Sequence, residues 1–327
     1  MTSFQTHNWQ RDARNPVFPP LEDFDCGACM NPFVLRRQNE YWMFYAGGDK
    51  AGARRICLAI APIDDVTNWK RIGPLFDVGA SGAFDDLWCV LPCVHRVHNR
   101  WHLYYTGRGK SGVGLQSFRG IGLAVSDDLL NWTKYSLQPV LLGDGFPQYE
   151  NNAGIAGGGR IVEVAGEGST LLRMYYTLAV GTPSENRLID QCKLSVIAHS
   201  RDGIEWLDKR IVLEPRLEAD YENAATIALN IWPVEHGYHA IYAGIGTRFG
   251  AYSICEAQSL DGLHWERGEP DENLALTPQG DGWESKMVEY PNVIEEKGPE
   301  NNNRLRLFYC GDGYGATGIG TALAEPI

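Results

Sequence analysis

Ile121-Gly-Leu-Ala-Val-Ser-Asp-Asp-Leu-Leu-Asn-Trp132, Ser195-Val-Ile-Ala-His-Ser-Arg-Asp-Gly-Ile-Glu-Trp206 and Ser253-Ile-Cys-Glu-Ala-Gln-Ser-Leu-Asp-Gly-Leu-His-Trp265 are three copies of one pattern. With Trp9 and Trp69 added, the tryptophans recur at spacings of 60, 63, 74 and 59 residues. Such a period marks a repeat architecture. Trp9 has no unit before it, and the last unit, closing on Gly318-Ile-Gly-Thr-Ala-Leu-Ala, has no tryptophan after it. The N-terminus therefore supplies the missing piece. If each unit is a four-stranded blade, the segment from Asn8-Trp9-Gln10 to Pro16-Val17-Phe18 is the outermost strand of the last blade. A ring closed by its own chain ends leaves only short, protected sheet edges. The expected fold is all-β, a single five-bladed β-propeller domain over residues 1–327.

Inside the units the register is set by proline. Phe24-Asp25, Phe84-Asp85 and Trp283-Glu284 each have their acid seven residues before Pro32, Pro92 and Pro291. Tyr149-Glu150-Asn151 and Tyr221-Glu222-Asn223 hold the corresponding place in the third and fourth units. Each proline opens an innermost strand. The second strand is aromatic and usually ends at glycine, as in Tyr41-Trp-Met-Phe-Tyr-Ala-Gly47 and Trp101-His-Leu-Tyr-Tyr-Thr-Gly107. In a meander, the entries to the first strand and the loops between the second and third share one face. There the units differ: Asp49, Lys50, Arg54 and Arg55; Arg108 and Lys110; Glu185, Asn186 and Arg187; Thr247 and Arg248; Asp312 and Tyr314. Loop variation on a repeated scaffold places the site on this face, at the axis.

Composition narrows the partners. With 44% apolar residues among 327 the chain can bury a large core. The net charge of -12 disfavours nucleic acid and anionic membrane. No apolar run is long enough to span a bilayer, and the polar start lacks a signal peptide's apolar segment, so the expected location is cytoplasmic. The eight cysteines show no secreted-scaffold spacing and read as reduced thiols; Cys26, Cys29, Cys89 and Cys93 could meet at a zinc ion, but regular strand entry argues against it. No P-loop, Rossmann or Gly-x-Ser-x-Gly motif is present. The expectation is no cofactor and no metal, with the oligomeric state left open.

The acid-to-proline entry, the Tyr-Tyr-Thr-Gly second strand and the Ile-Gly-Leu-Ala-x-Ser-x-Asp-x-x-x-Trp tail together resemble the five-bladed propeller glycoside hydrolases of families 43, 32, 68, 117 and 130. The resemblance implies a carbohydrate-active enzyme acting on a small glycoside or oligosaccharide through paired carboxyl groups. It also implies an acid two residues before a proline, which Glu289 matches in Val288-Glu289-Tyr290-Pro291. Family 43 places its base Asp before the first unit's proline, where this chain has Asn31, and a further Asp after the second unit's proline, where it has Cys93. An amide cannot be a general base.

The substitutes are the repeated acids: Asp25, Asp85, Glu150, Glu222 and Glu284, with Asp86 beside them. The catalytic candidates are thus Glu289 or Glu150 as acid and Asp25 or Asp85 as base or nucleophile. The substrate-binding candidates are Asn31, Trp88, Arg108, Asn151, Glu222, Arg248, Glu284, Lys286 and Asp312. The alternative for the acids is structural: a carboxylate in every unit accepts hydrogen bonds at strand entry. The alternatives for the protein are a sugar-binding propeller without chemistry, or one recruited to non-glycosidic metabolite chemistry.

Overall fold

The computed structural model describes residues 4–111, 117–149, 153–166, 169–180, 192–297 and 303–327. These are almost entirely strand and turn. A short β1 (Gln10–Arg11) precedes four meanders. The first is β2 (Ala28–Arg37), β3 (Glu40–Gly48), β4 (Arg54–Pro62) and β5 (Lys70–Pro74); the second is β6 (Trp88–Val97), β7 (Arg100–Arg108), β8 (Phe118–Ser126) and β9 (Thr133–Lys134). The third is β10 (Ala153–Gly166), β11 (Ser169–Val180), β12 (Cys192–Ser200) and β13 (Leu207–Leu213); the fourth is β14 (Ala225–Val234), β15 (Gly237–Ile245), β16 (Tyr252–Ser259) and β17 (Leu274–Leu276). The chain ends with β18 (Glu289–Lys297), β19 (Asn303–Cys310) and β20 (Ile319–Ala324), and β1 returns to pair antiparallel with β20, Gln10 opposite Leu323 and Arg11 opposite Ala322. A single parallel residue pair joins the first meander to the second, Arg54 with Trp88, and another joins the third to the fourth, Lys193 with Ala225. The innermost strands touch in cyclic order: β2 with β6, β6 with β10, β10 with β14, β14 with β18, and β18 with β2.

The repeated tail explains the turns. In Ser-x-Asp-x-x-x-Trp the serine Oγ accepts the N–H three residues on, and the aspartate accepts the next two amides. Ser126 takes Leu129 at 3.0 Å and Asp128 takes Leu130 and Asn131 at 2.9 and 2.8 Å. Ser200 with Asp202 and Ser259 with Asp261 repeat this on Gly203 and Gly262. Those backbone bonds hold Asp128 and Asp261 well below the usual carboxylate range; for Asp261 they overcome the opposing effect of burial. The residue at the turn has positive φ, 73° at Gly203, 71° at Gly262 and 70° at Leu129, which is why glycine recurs there.

The tryptophans work between units. Trp69 packs edge-on against Phe308, Trp132 against Phe44, Trp206 against Tyr104 and Trp265 against Tyr175, each ring reaching the second strand of the preceding unit at 5.7 to 6.2 Å between centroids. Trp9 joins Ile241 in one buried cluster, as the same rule demands. The core therefore lies between adjacent sheets, where aromatic rings bury large apolar areas. Among the described residues no helix is long and apolar enough to cross a membrane.

Candidate active site

All five innermost strands break register at the same point. The ladder slips between Met30 and Phe33, Val90 and Cys93, Gly157 and Arg160, Ile227 and Asn230, and Glu289 and Asn292. Each slip is a bulge. Its extra residue is left-handed at Asn31 (φ 55°), Leu91 (57°), Ala228 (55°) and Tyr290 (52°), none of them glycine. Strain of this kind persists where the surrounding fold imposes it. Here neighbouring units do so: the Leu91 N–H donates to Asn31 Oδ1 at 3.3 Å, the Ala228 N–H to Thr177 Oγ1 at 3.1 Å and the Asn31 N–H to Cys310 Sγ at 3.3 Å. In the third unit Gly158 replaces the strained residue, and a Cβ there would lie 2.4 Å from the Leu91 carbonyl oxygen.

The pairing partners define equivalent positions: Met30 faces Ala46, Val90 faces Thr106, Gly157 faces Thr177, Ile227 faces Ala243, and Glu289 faces Cys310. Four units carry an apolar residue or glycine where the last carries a carboxyl. Glu289 is fully buried, and neither carboxyl oxygen has a hydrogen-bond partner among the described residues. Burial pushes its pKa well above the ordinary glutamate value, against the opposing pull of Lys193 and Arg54. A buried acid without partners holds its proton.

The groups around it come from strand starts on the same face. Lys193, the second residue of β12, donates to the Tyr252 hydroxyl at 2.8 Å, where β16 begins. Burial draws the Lys193 ammonium below its usual range, while Tyr314 and Glu289 favour the charged form. The Tyr252 ring lies 6.4 Å from Tyr290 and 6.2 Å from Tyr314. Arg54, at the start of β4, stacks on Trp88 at 4.1 Å, and Arg108 stacks on the same ring at 4.0 Å. The result is one acid faced by two cations and three tyrosines.

The repeated acids have other partners. Asp25 accepts the Tyr45 hydroxyl and Arg71 Nε, both at 2.8 Å, and the backbone N–H groups of Leu21 and Glu22. Asp85 accepts the Tyr105 hydroxyl at 2.9 Å and Lys134 Nζ at 2.6 Å. Glu222 accepts the Tyr242 hydroxyl and Arg216 Nε, with Arg267 at 3.4 Å. Glu284 meets Arg11 Nε at 2.9 Å, with the Tyr309 hydroxyl beside it; burial raises its pKa and Arg11 opposes the rise. A tyrosine from the second strand and a cation beside the outer edge thus hold Asp25, Asp85 and Glu222, while Glu284 is held by Arg11 through one oxygen and its Oε2 is buried without a partner among the described residues. Tyr176, the third unit's equivalent tyrosine, has a buried hydroxyl with no partner among the described residues. Glu150 and Asn151, with Glu185, Asn186 and Arg187, lie outside those residues.

The binding candidates are also engaged. Asn31 is 3% exposed, its oxygen taken by Leu91. Arg248 is paired with Asp220 at 2.8 Å and Asp271 at 2.5 Å. Asp312 accepts the N–H groups of Ser285, Lys286 and Met287, which fixes the turn entering β18 just ahead of Glu289. Lys286 itself is exposed. Arg108 Nε donates to Ser117 Oγ at 2.9 Å besides stacking on Trp88. The sequence reading noted Arg54 and Tyr314 as variable face residues and missed Lys193 and Tyr252. Their signal was a cation and a tyrosine within the first two residues of third strands.

No protein-family model matches the chain. Two curated proteins of Mycobacterium tuberculosis, "Uncharacterized protein Rv1502" and "Uncharacterized protein MT1551", are each 28% identical over 288 residues, 86% of this chain and 87% of theirs. Among solved structures, one described as "Glycoside hydrolase" superposes with a TM-score of 0.71 over 98% of this chain and 92% of its own, at 16% identity. This chain shares the fold of that structure. A second such structure, from work on the GH130 family of mannoside phosphorylases and glycoside hydrolases that target β-1,2 mannosidic linkages in Candida mannan, reaches 0.71 over 100% and 96% at 17% identity. A thermostable family-43 glycoside hydrolase reaches 0.61 over 91% and 88%, also at 17%. The resemblance read from the repeat to propeller-type glycoside hydrolases is thereby matched in three dimensions.

Proposed function

We propose that the five four-stranded units close into one five-bladed propeller domain, and that the protein is a carbohydrate-active enzyme cleaving or transferring a glycosidic unit at the axial mouth. Glu289 is the general acid. The observation that carries this reading is its buried, unpartnered carboxyl in the one unit whose axial position is not apolar or glycine. A protonated carboxyl at a pocket mouth supplies the proton that a departing glycosidic oxygen needs, and general acids of this kind contribute roughly 10²- to 10⁴-fold.

Asp25, Asp85 and Glu222 are better suited to holding strand entries than to reaching an anomeric carbon, since a nucleophile among them would first have to leave a tyrosine and a cation, and Glu284 is tied to Arg11. The sequence repeat aligns Glu150 with these acids. That favours a second reading of the partner step, in which the attacking group is an anionic co-substrate held by Arg54 and Lys193. With inorganic phosphate, a phosphate oxygen forms the new bond to the anomeric carbon, the glycosidic C–O bond breaks, and the Glu289 proton goes to the leaving oxygen. One solved structure of similar fold comes from work on mannoside phosphorylases.

The test is a panel of small glycosides and glycosyl phosphates, assayed with and without phosphate, on wild type and Glu289→Gln. The proposal expects turnover on at least one substrate and a loss of at least about 100-fold in the variant. Full activity in Glu289→Gln on a substrate the wild type cleaves would overturn it.

A further inference from the structure

The five bulges surround a cavity of about 50 Å³, lined by residues from all five innermost strands, among them Asn31, Phe33, Arg160, Asn230, Tyr290 and Asn292. Arg160 is the one charged residue of that lining. Its guanidinium stacks over the Phe33 ring at 4.8 Å, and its Nη1 is buried without an acceptor. No ion pair to Arg160 occurs among the described residues, and burial lowers its pKa while Cys93 offers only a weak opposing influence.

Two further donors in the lining are unsatisfied. Asn31 Nδ2 and Asn292 Nδ2 are buried without partners among the described residues, in side chains 3% and 1% exposed. Their orientation is fixed, because each amide oxygen is already used: Asn31 Oδ1 by the Leu91 N–H at 3.3 Å and Asn292 Oδ1 by the Val34 N–H at 2.9 Å. Turning either amide over would forfeit that bond between units. The cavity is thus lined by three unpartnered donors, one of them cationic, and by no carboxylate.

A buried donor left alone costs free energy, and a buried charge left alone costs more. Water in the cavity would satisfy the donors but leave the guanidinium without a counter-charge. The space has room for a monatomic ion with a few waters. We propose that the axial cavity is a binding site for a small monatomic anion, of the chloride class, held by Arg160 with the amides of Asn31 and Asn292. The site is structural, joining the first, third and last units, and does not depend on the glycosidic reading.

The experiment uses the full chain with chloride and bromide as probes. Crystals soaked in bromide are expected to show an anomalous peak between Arg160, Asn31 and Asn292. In solution, Tm is expected to rise saturably when chloride replaces gluconate at equal ionic strength. Arg160→Met should abolish both effects. Should that variant fail to fold, Asn292→Asp serves instead: it keeps the oxygen that accepts from Val34 and sets a carboxylate oxygen where the amide nitrogen was, so the anion should become unnecessary and the chloride response vanish. Water alone in the cavity of bromide-soaked wild-type crystals would overturn the proposal. So would an equal chloride response in wild type and Asn292→Asp.

Discussion

Replacing Glu289 by methionine should make the protein more stable and inactive. The position is occupied by Met30 in the first unit, so a methionine side chain already fits this place in the repeat. Removing a buried polar group that has no partner recovers about 1–3 kcal/mol, and methionine adapts to an irregular gap. At roughly 2 °C per kcal/mol for a large domain, Tm should rise by about 2–6 °C.

The pH dependence carries the sharper test. The folded-state pKa of Glu289 is raised above its ordinary value of 4.5. Below that value both folded and unfolded chains hold the proton, and the carboxyl adds no pH term. As pH rises through it, the unfolded chain releases a proton that the folded chain retains, so wild-type stability falls until the folded pKa is reached. Glu289→Met lacks this loss. Its advantage should therefore be smallest near about pH 4 and grow toward about pH 8, measured by thermal and urea denaturation across a pH series. If instead Glu289 were ionised and paired with Lys193 and Arg54, the substitution would strand two cations and destabilise the fold by about 3–5 kcal/mol. A destabilised variant, or an advantage that shrinks as pH rises, would refute the reasoning.

Lys193→Met removes a cation that holds the Glu289 pKa down, so the basic limb of the kcat/KM profile should move to higher pH; an unmoved limb would separate Lys193 from the acid. Asp25→Asn turns an amide toward the Tyr45 hydroxyl and Arg71, and should cost about 3 kcal/mol in urea denaturation while kcat of the folded enzyme stays near wild type. A large loss of kcat at unchanged stability would restore Asp25 to the chemistry. Trp132→Ala opens the seam against Phe44 and should cost about 3–5 kcal/mol; a neutral result would mean the repeated tryptophans do not join the units.

Much of this protein is legible in its sequence. The tail ending in tryptophan repeats because each copy builds the same turn, with serine and aspartate closing backbone amides within five residues. That chemistry is local, so its period reveals the units and the pairing of the N-terminus with the last strand. Glu289 enters as a candidate from its place two residues before proline, while its burial comes from the structure.

What the sequence by itself determined was the repeat, and through it the all-β fold and the face on which the units differ. The tertiary structure decided which acids are free. Asp25 and Glu289 are both candidate acids along the chain, yet Asp25 meets an arginine 46 residues away and Glu289 meets no hydrogen-bond donor among the described residues. Lys193 and Arg54 reach Glu289 only because strands from three units converge there. The reason is physical. A carboxyl's protonation depends on its burial and on the charges around it, and those neighbours are assembled by packing between units rather than by order along the chain.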